Sequence, residues 1–263
     1  MIRIFATELK LNLKSLLIWS LAVGGVGLAC ILLYQTMAED MKEMAGAFSD
    51  MGAFSDAFGM STMSIATLPG YFATEVGTCH GLGSGMFAAI LAIGILSKEE
   101  EGHTGEFLYS LPVSRQKIVA AKGGCVLVSL MMFTIICALM YRAGFVLVGE
   151  ELPVKEFCTF MGREFIMNLE IAAVCFFVSS VSRKNRMGLG IGIAMFTYVY
   201  DLIGRVVPSA GDYLFIGPYS YANAPEIFAG KAAKGEALVV AVAVTLVAAV
   251  ASFICHGRRD LAG

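Results

Sequence analysis

The chain has 263 residues, of which 57% are hydrophobic and only 15% charged, well below the roughly 25% charged of an ordinary soluble domain. A net charge of -2 excludes the strongly basic profile of a nucleic-acid binder. The seven cysteines, scattered without paired spacing, read as apolar filler and exclude both a disulfide framework and a metal module.

Six apolar stretches cover residues 16–34, 76–96, 123–141, 165–181, 187–204 and 237–255. Each is long enough to cross a hydrocarbon core of about 30 Å as a helix rising about 1.5 Å per residue. None alternates with period two, as a barrel strand would. Pro69, Pro112, Pro153, Pro208, Pro218 and Pro225 all fall between the stretches, as uninterrupted helices require. The predicted fold class is an all-α polytopic membrane protein, a single transmembrane domain over residues 1–263.

In chain order, residues 1–15 come first. Ile2, Phe5, Leu9 and Leu13 share one helical face while Arg3, Lys10 and Lys14 lie elsewhere, which predicts an interfacial helix lying flat before the first span. The alternative is a plain helical extension of that span. Gly27-Leu28-Ala29-Cys30 resembles a lipoprotein cleavage site, but Gly27 replaces the larger aliphatic residue wanted there and the apolar run continues to Tyr34, so span 16–34 reads as uncleaved.

The first outer loop, 35–75, is acidic and repeats itself as Ala47-Phe48-Ser49-Asp50 and Ala53-Phe54-Ser55-Asp56. Its Met and Phe spacing suits amphipathic helices, and it lacks the Asp-x-Asp-x-Asp-Gly loop of a calcium site. In span 76–96, Gly77, Gly81 and Gly85 recur every four residues, as Gly188 and Gly192 do in span 187–204. Such faces let helices approach closely, within one chain or between two.

The loop 97–122 opens with Glu99, Glu100, Glu101 and Glu106 and closes with Arg115, Lys117 and Lys122. Acids favour a helix start and bases its end. Leu111-Pro112-Val113-Ser114 breaks the segment, and Ser114 is placed to cap the helix leading into span 123–141. This predicts a short helix, a sharp turn and a second helix. Phe107, Leu108, Tyr109 and Leu111 give the first part an apolar surface, available to a partner or to neighbouring spans.

An ionisable group in hydrocarbon costs several kcal/mol unless paired or wet. Arg142 ends span 123–141 and Glu170 lies early in span 165–181, on the same side, so a Glu170 to Arg142 pair is expected; the alternative has Glu170 lining an aqueous path. Asp201 and Arg205, four apart at the end of span 187–204, are expected to pair with each other. The last outer loop, 205–236, carries the aromatic run Tyr213-Leu214-Phe215-Ile216-Gly217-Pro218-Tyr219-Ser220-Tyr221. It is too short to span and reads either as a re-entrant hairpin or as an aromatic belt. Span 237–255 and a tail, 256–263, complete the chain.

Of the nineteen Lys and Arg residues, twelve (Arg3, Lys10, Lys14, Lys98, Arg115, Lys117, Lys122, Arg183, Lys184, Arg186, Arg258 and Arg259) cluster on one side of this topology. Short cytoplasmic loops retain such residues, so both termini and loop 97–122 are predicted to be cytoplasmic.

Loop 98–122 resembles the characteristic segment of ABC transporter permeases of the type-2 exporter class. The residues that carry the likeness are Glu99, Glu100, Glu101, Gly102, Thr104, Glu106, Leu108, Leu111, Pro112, Val113, Ser114, Arg115 and Lys122. The six spans, the interfacial start, the long first outer loop and Arg258-Arg259-Asp260-Leu261 extend it over essentially the whole chain. The resemblance implies a permease with no catalytic residue and no cofactor of its own. It implies that ATP and Mg are bound by a separate ABC ATPase subunit, which docks through a coupling helix on Glu99, Glu100, Glu101, Gly102, Thr104, Glu106, Phe107, Leu108, Leu111, Pro112, Val113, Ser114 and Arg115. It also implies a second permease chain, identical or different, in a bacterial plasma membrane. The chain itself has no Gly-x-x-x-x-Gly-Lys-Ser/Thr phosphate loop.

The residues expected to matter are thus contacts and hinges, not catalysts or metal ligands. Glu100-x-x-His103 has di-iron spacing but lacks the second pair such a site needs. An apolar interior favours an amphipathic peptide, a lipid or a hydrophobic drug as cargo. The rival reading, a secondary transporter or channel independent of an ATPase, needs ionisable groups near the midplane, and these are sparse.

Overall fold

The computed structural model describes residues 1–102 and 112–258. Among them every regular element is helical, and six helices are long and apolar enough to cross a membrane: α1 (Ile2–Ser49), α2 (Leu68–Ile93), α3 (Arg115–Val148), α4 (Val154–Val181), α5 (Met187–Val206) and α6 (Gly235–Arg258). Short helices at Ala53–Phe58, Lys98–Glu101, Pro208–Gly211 and Ala224–Phe228, with a 3-10 turn at Leu214–Ile216, fill the connections.

The helices outrun the apolar stretches that mark them. Residues 2–14 are the beginning of α1, so the separate interfacial helix is corrected to the extension alternative. No proline or turn residue interrupts the join, and Ala, Leu, Met, Glu and Lys carry the helix on through residue 49. It stops where Gly52 takes a left-handed φ of 57°. Much of the expected outer loop 35–75 is therefore helix. The first Ala-Phe-Ser-Asp copy closes α1 and the second lies within Ala53–Phe58, where the tilted rings of Phe54 and Phe58 meet at a centroid distance of 4.9 Å.

Helix α2 also starts earlier than its apolar stretch. Thr67 caps it, its side chain accepting from the Gly70 amide at 3.3 Å, and Pro69 occupies the first turn, where no intrahelical donor is lost. A π turn at Phe72–Val76 follows. It aims Phe72 into a cage of rings, Tyr141, Phe145, Phe157, Phe160 and Phe228, with centroids 5.5–6.0 Å away. Tilted and edge-on rings at such distances attract beyond their area burial. Phe72 is fully buried and ties α2, α3 and α4 to the last connection.

The most extensive packing is between α1 and α3. A Cβ added at Gly24 would meet Met140, and one at Gly27 would meet Tyr141, so these glycines set how closely the two helices cross. Helix α2 is the most enclosed, packed by α1, α4 and α5, while α6 lies at the periphery against α4 and α3.

Candidate functional site

Two polar assemblies occupy opposite ends of the bundle. At the end carrying the start of α1, Lys122 of α3 is 1% exposed yet faces two carboxylates, Glu99 and, at 3.3 Å, Glu8 of α1. Lys98 closes the group with an ion pair to the other oxygen of Glu8. Two acids thus face two bases, and the Lys122 ammonium also donates to the Ile95 carbonyl, so the buried charge is compensated from several directions. Burial pushes the Glu99 carboxyl above its ordinary range, and the adjacent Lys122 pulls it back.

Other contacts extend this group sideways. The Leu96 amide donates to the Ser179 hydroxyl at 3.0 Å, joining the end of α2 to the end of α4. The Asn185 amide donates to Glu101 Oε2 at 2.9 Å, joining the connection between α4 and α5 to the Lys98–Glu101 helix. Gly102 ends that helix.

Ser114 occupies the N-cap position of α3, as its sequence context predicts, with extended backbone and its carbonyl accepting from Lys117 and Ile118. Its hydroxyl makes no cap bond. Arg115 is the first helical residue, and both it and Glu100 have partners of their own. Pro112 and Val113 line an open apolar cleft of about 550 Å³ with Met1, Ile2 and Ile4 at the tip of α1. Thr104, Glu106, Phe107, Leu108 and Leu111 lie outside the described residues.

At the opposite end the connection 207–234 folds back into the bundle, with Tyr213 and Ile216 of its aromatic run exposed and the later part enclosed. Tyr219, Tyr221, Ala222, Ala224 and Ile227 are buried. The glycine row of α2 receives them: Cβ atoms at Gly77 and Gly85 would meet Ala224 and the Tyr219 hydroxyl, and one at Gly81 would lie 3.4 Å from Glu164. This close approach is made within one chain. A Cβ added at Gly188 or Gly192 of α5, by contrast, would meet nothing within 4 Å beyond its own helix among the described residues.

The expected Glu170 to Arg142 pair is corrected. Glu170 accepts a hydrogen bond from the Tyr221 hydroxyl at 2.8 Å, because the infolded connection brings that phenol to it. Arg142 stays exposed, in a groove of about 710 Å³ that it shares with Glu150 and Glu151. Asp201 and Arg205 do pair, and Arg205 also donates to the Ala57 carbonyl at 3.3 Å, fastening α5 to the Ala53–Phe58 helix.

Sequence reasoning missed Glu164, 2% exposed and bonded to Ser84 at 3.3 Å, and the buried His80 beside the Tyr141 hydroxyl at 2.9 Å. It also missed Glu8 as a partner. One signal pointed to it: Glu8 is the only acid among residues 1–38, where the other charged residues are Arg3, Lys10 and Lys14.

This arrangement offers contact surfaces and mechanical links between the spans. Comparison with curated proteins gives no match. A family model described as ABC-2 family transporter protein matches residues 2–261, and the chain therefore belongs to that family, as a multi-pass membrane component of an ABC transporter.

Proposed function

We propose that this permease is the pathway-forming subunit of an ATP-driven exporter in a bacterial plasma membrane, powered by a separate ATPase that docks on loop 98–122. In this reading the loop and both chain ends are cytoplasmic. Two permease chains and two ATPases form the working unit, and ATP and Mg stay with the ATPases. The largely apolar spans suit an amphipathic peptide, a lipid or a hydrophobic drug.

The observation that carries the reading is the anchorage of the loop. Its acidic start is joined to α1 and α3 through Glu8, Lys98, Glu99 and Lys122, and to the connection between α4 and α5 through Glu101. A displacement of the Lys98–Glu101 helix is therefore delivered to several spans together, as rigid-body switching between inward- and outward-facing states requires. The apolar cleft at Pro112 and Val113 lies on the same face and gives a docking protein surface to bury.

The test is co-purification with the cognate ATPase followed by transport in sealed vesicles. Transport should stop when hydrolysis in the ATPase is blocked, and Glu101→Ala should weaken coupling, leaving ATP turnover that no longer drives cargo. Transport by the permease alone, without ATP, would overturn the proposal in favour of a secondary transporter.

A further inference from the structure

Beyond the basic side of the topology lie Lys42, Lys155, Arg163, Arg205, Lys231 and Lys234, with Arg142 at the end of span 123–141. Three of them converge on one cavity. Arg163 of α4, with Lys231 and Lys234 from the stretch before α6, lines a chamber of about 280 Å³ closed by Ser220, Tyr221 and Glu226. Three cations thus face one carboxylate. Lys231 approaches that carboxylate only to 3.8 Å, and both side chains are about half exposed, so the pair is weak. Among the described residues neither Arg163 nor Lys234 has a carboxylate within 4.0 Å. Arg163 spends one donor on the Tyr221 carbonyl, at 3.4 Å, which leaves most of its fork to give.

We propose that this cavity binds a phosphate-class anion. Its volume lies just below the roughly 300–1,000 Å³ of drug-sized sites, which suits a head group or a free anion. A guanidinium gives phosphate two parallel charge-assisted hydrogen bonds, and lysine ammoniums add point charges that can follow it. Ser220 forms part of the wall, its hydroxyl donating to the Gly217 carbonyl at 2.8 Å, and the first turn of α6 opens at the rim through Ala237, bringing a helix start with its positive dipole end. The connection that builds the chamber is the same one that packs Tyr221 against Glu170, so occupancy of the chamber holds that connection in its infolded position. The phosphate can come from a lipid of the adjacent leaflet or from solution.

The experiment is calorimetric titration of the full-length permease, purified in a phosphate-free neutral detergent, with inorganic phosphate in one arm and dihexanoyl phosphatidylglycerol in the other. At least one probe should bind. Arg163→Gln and Lys234→Gln should each weaken it by about tenfold or more, as loss of a hydrogen bond to a charged group does, while Lys155→Gln, which removes a base outside the cavity, should not. Binding of inorganic phosphate assigns a free anion; binding of the lipid alone assigns a head group. Lys234 is exposed, so its variant reports on binding without disturbing the packed interior. Failure of both probes, or equal affinity in wild type, Arg163→Gln and Lys234→Gln, would overturn the proposal.

Discussion

Lys122 of α3 reaches Glu8 of α1 at 3.3 Å from a position 1% exposed, so the two helices that pack most extensively also share a buried charge at one end. Removing the cation alone leaves Glu8 with only the partly exposed Lys98 and strips Glu99 of its buried partner. Lys122→Met should therefore destabilise the chain by about 3–5 kcal/mol, the range for breaking a buried pair from one side. Adding Glu99→Gln to it should recover part of the loss, since one stranded charge is then gone. Unfolding in mixed detergent micelles measures both, and strict additivity of the two changes would refute the shared cluster.

The same cluster carries a pH dependence of definite sign. Burial raises the Glu99 carboxyl in the folded chain, so this group's contribution is fully present below the unfolded value of about 4.3 and is lost as pH rises through the folded value. Glu99→Gln should flatten the fall in melting temperature as pH rises above about 4.3. A profile that matches wild type over that interval would show that Glu99 is not the titrating group.

The six crossings were legible because each is written in one local property, a run of apolar side chains long enough for the membrane. The ends of the helices were not, since α1 continues for fifteen residues beyond Tyr34 on Met, Ala and Phe interspersed with charges, which breaks the apolar run. Asp201 and Arg205 were readable for the same reason as the spans: their partners are four residues apart. Lys122 with Glu8, and Glu170 with Tyr221, are separated by more than fifty residues, and only the packing of helices selects those partners. The sequence reading of Glu170 chose the nearest opposite charge and overlooked a neutral phenol, although a hydroxyl also supplies a buried carboxyl with a hydrogen bond.

That phenol defines a further prediction. Tyr221→Phe removes the donor to Glu170 while keeping the ring, and should cost about 1–3 kcal/mol, the penalty for stranding a buried acceptor. Arg142→Gln, on an exposed face, should stay within about 0.5 kcal/mol of wild type. Thermal melts of the two variants compare them directly. The reverse order would restore the Glu170 to Arg142 pair.

The glycine row of α2 gives the last prediction. A methyl group at Gly85 would collide with the Tyr219 hydroxyl and lie 3.3 Å from both the ring carbon that bears it and Ile171. Gly85→Ala should thus destabilise the chain by about 1–3 kcal/mol, as overpacking of a close-packed interior does. Adding Tyr219→Phe removes the atom in the way and should return part of that loss, because the remaining contacts need shift only a few tenths of an ångström. Gly188→Ala, whose added Cβ would meet nothing within 4 Å beyond its own helix among the described residues, should be neutral or slightly stabilising, since alanine is the better helix former. If Gly85→Ala is neutral in the monomer but abolishes association of permease chains, the row belongs to a contact between chains; rescue by Tyr219→Phe assigns it to the infolded connection.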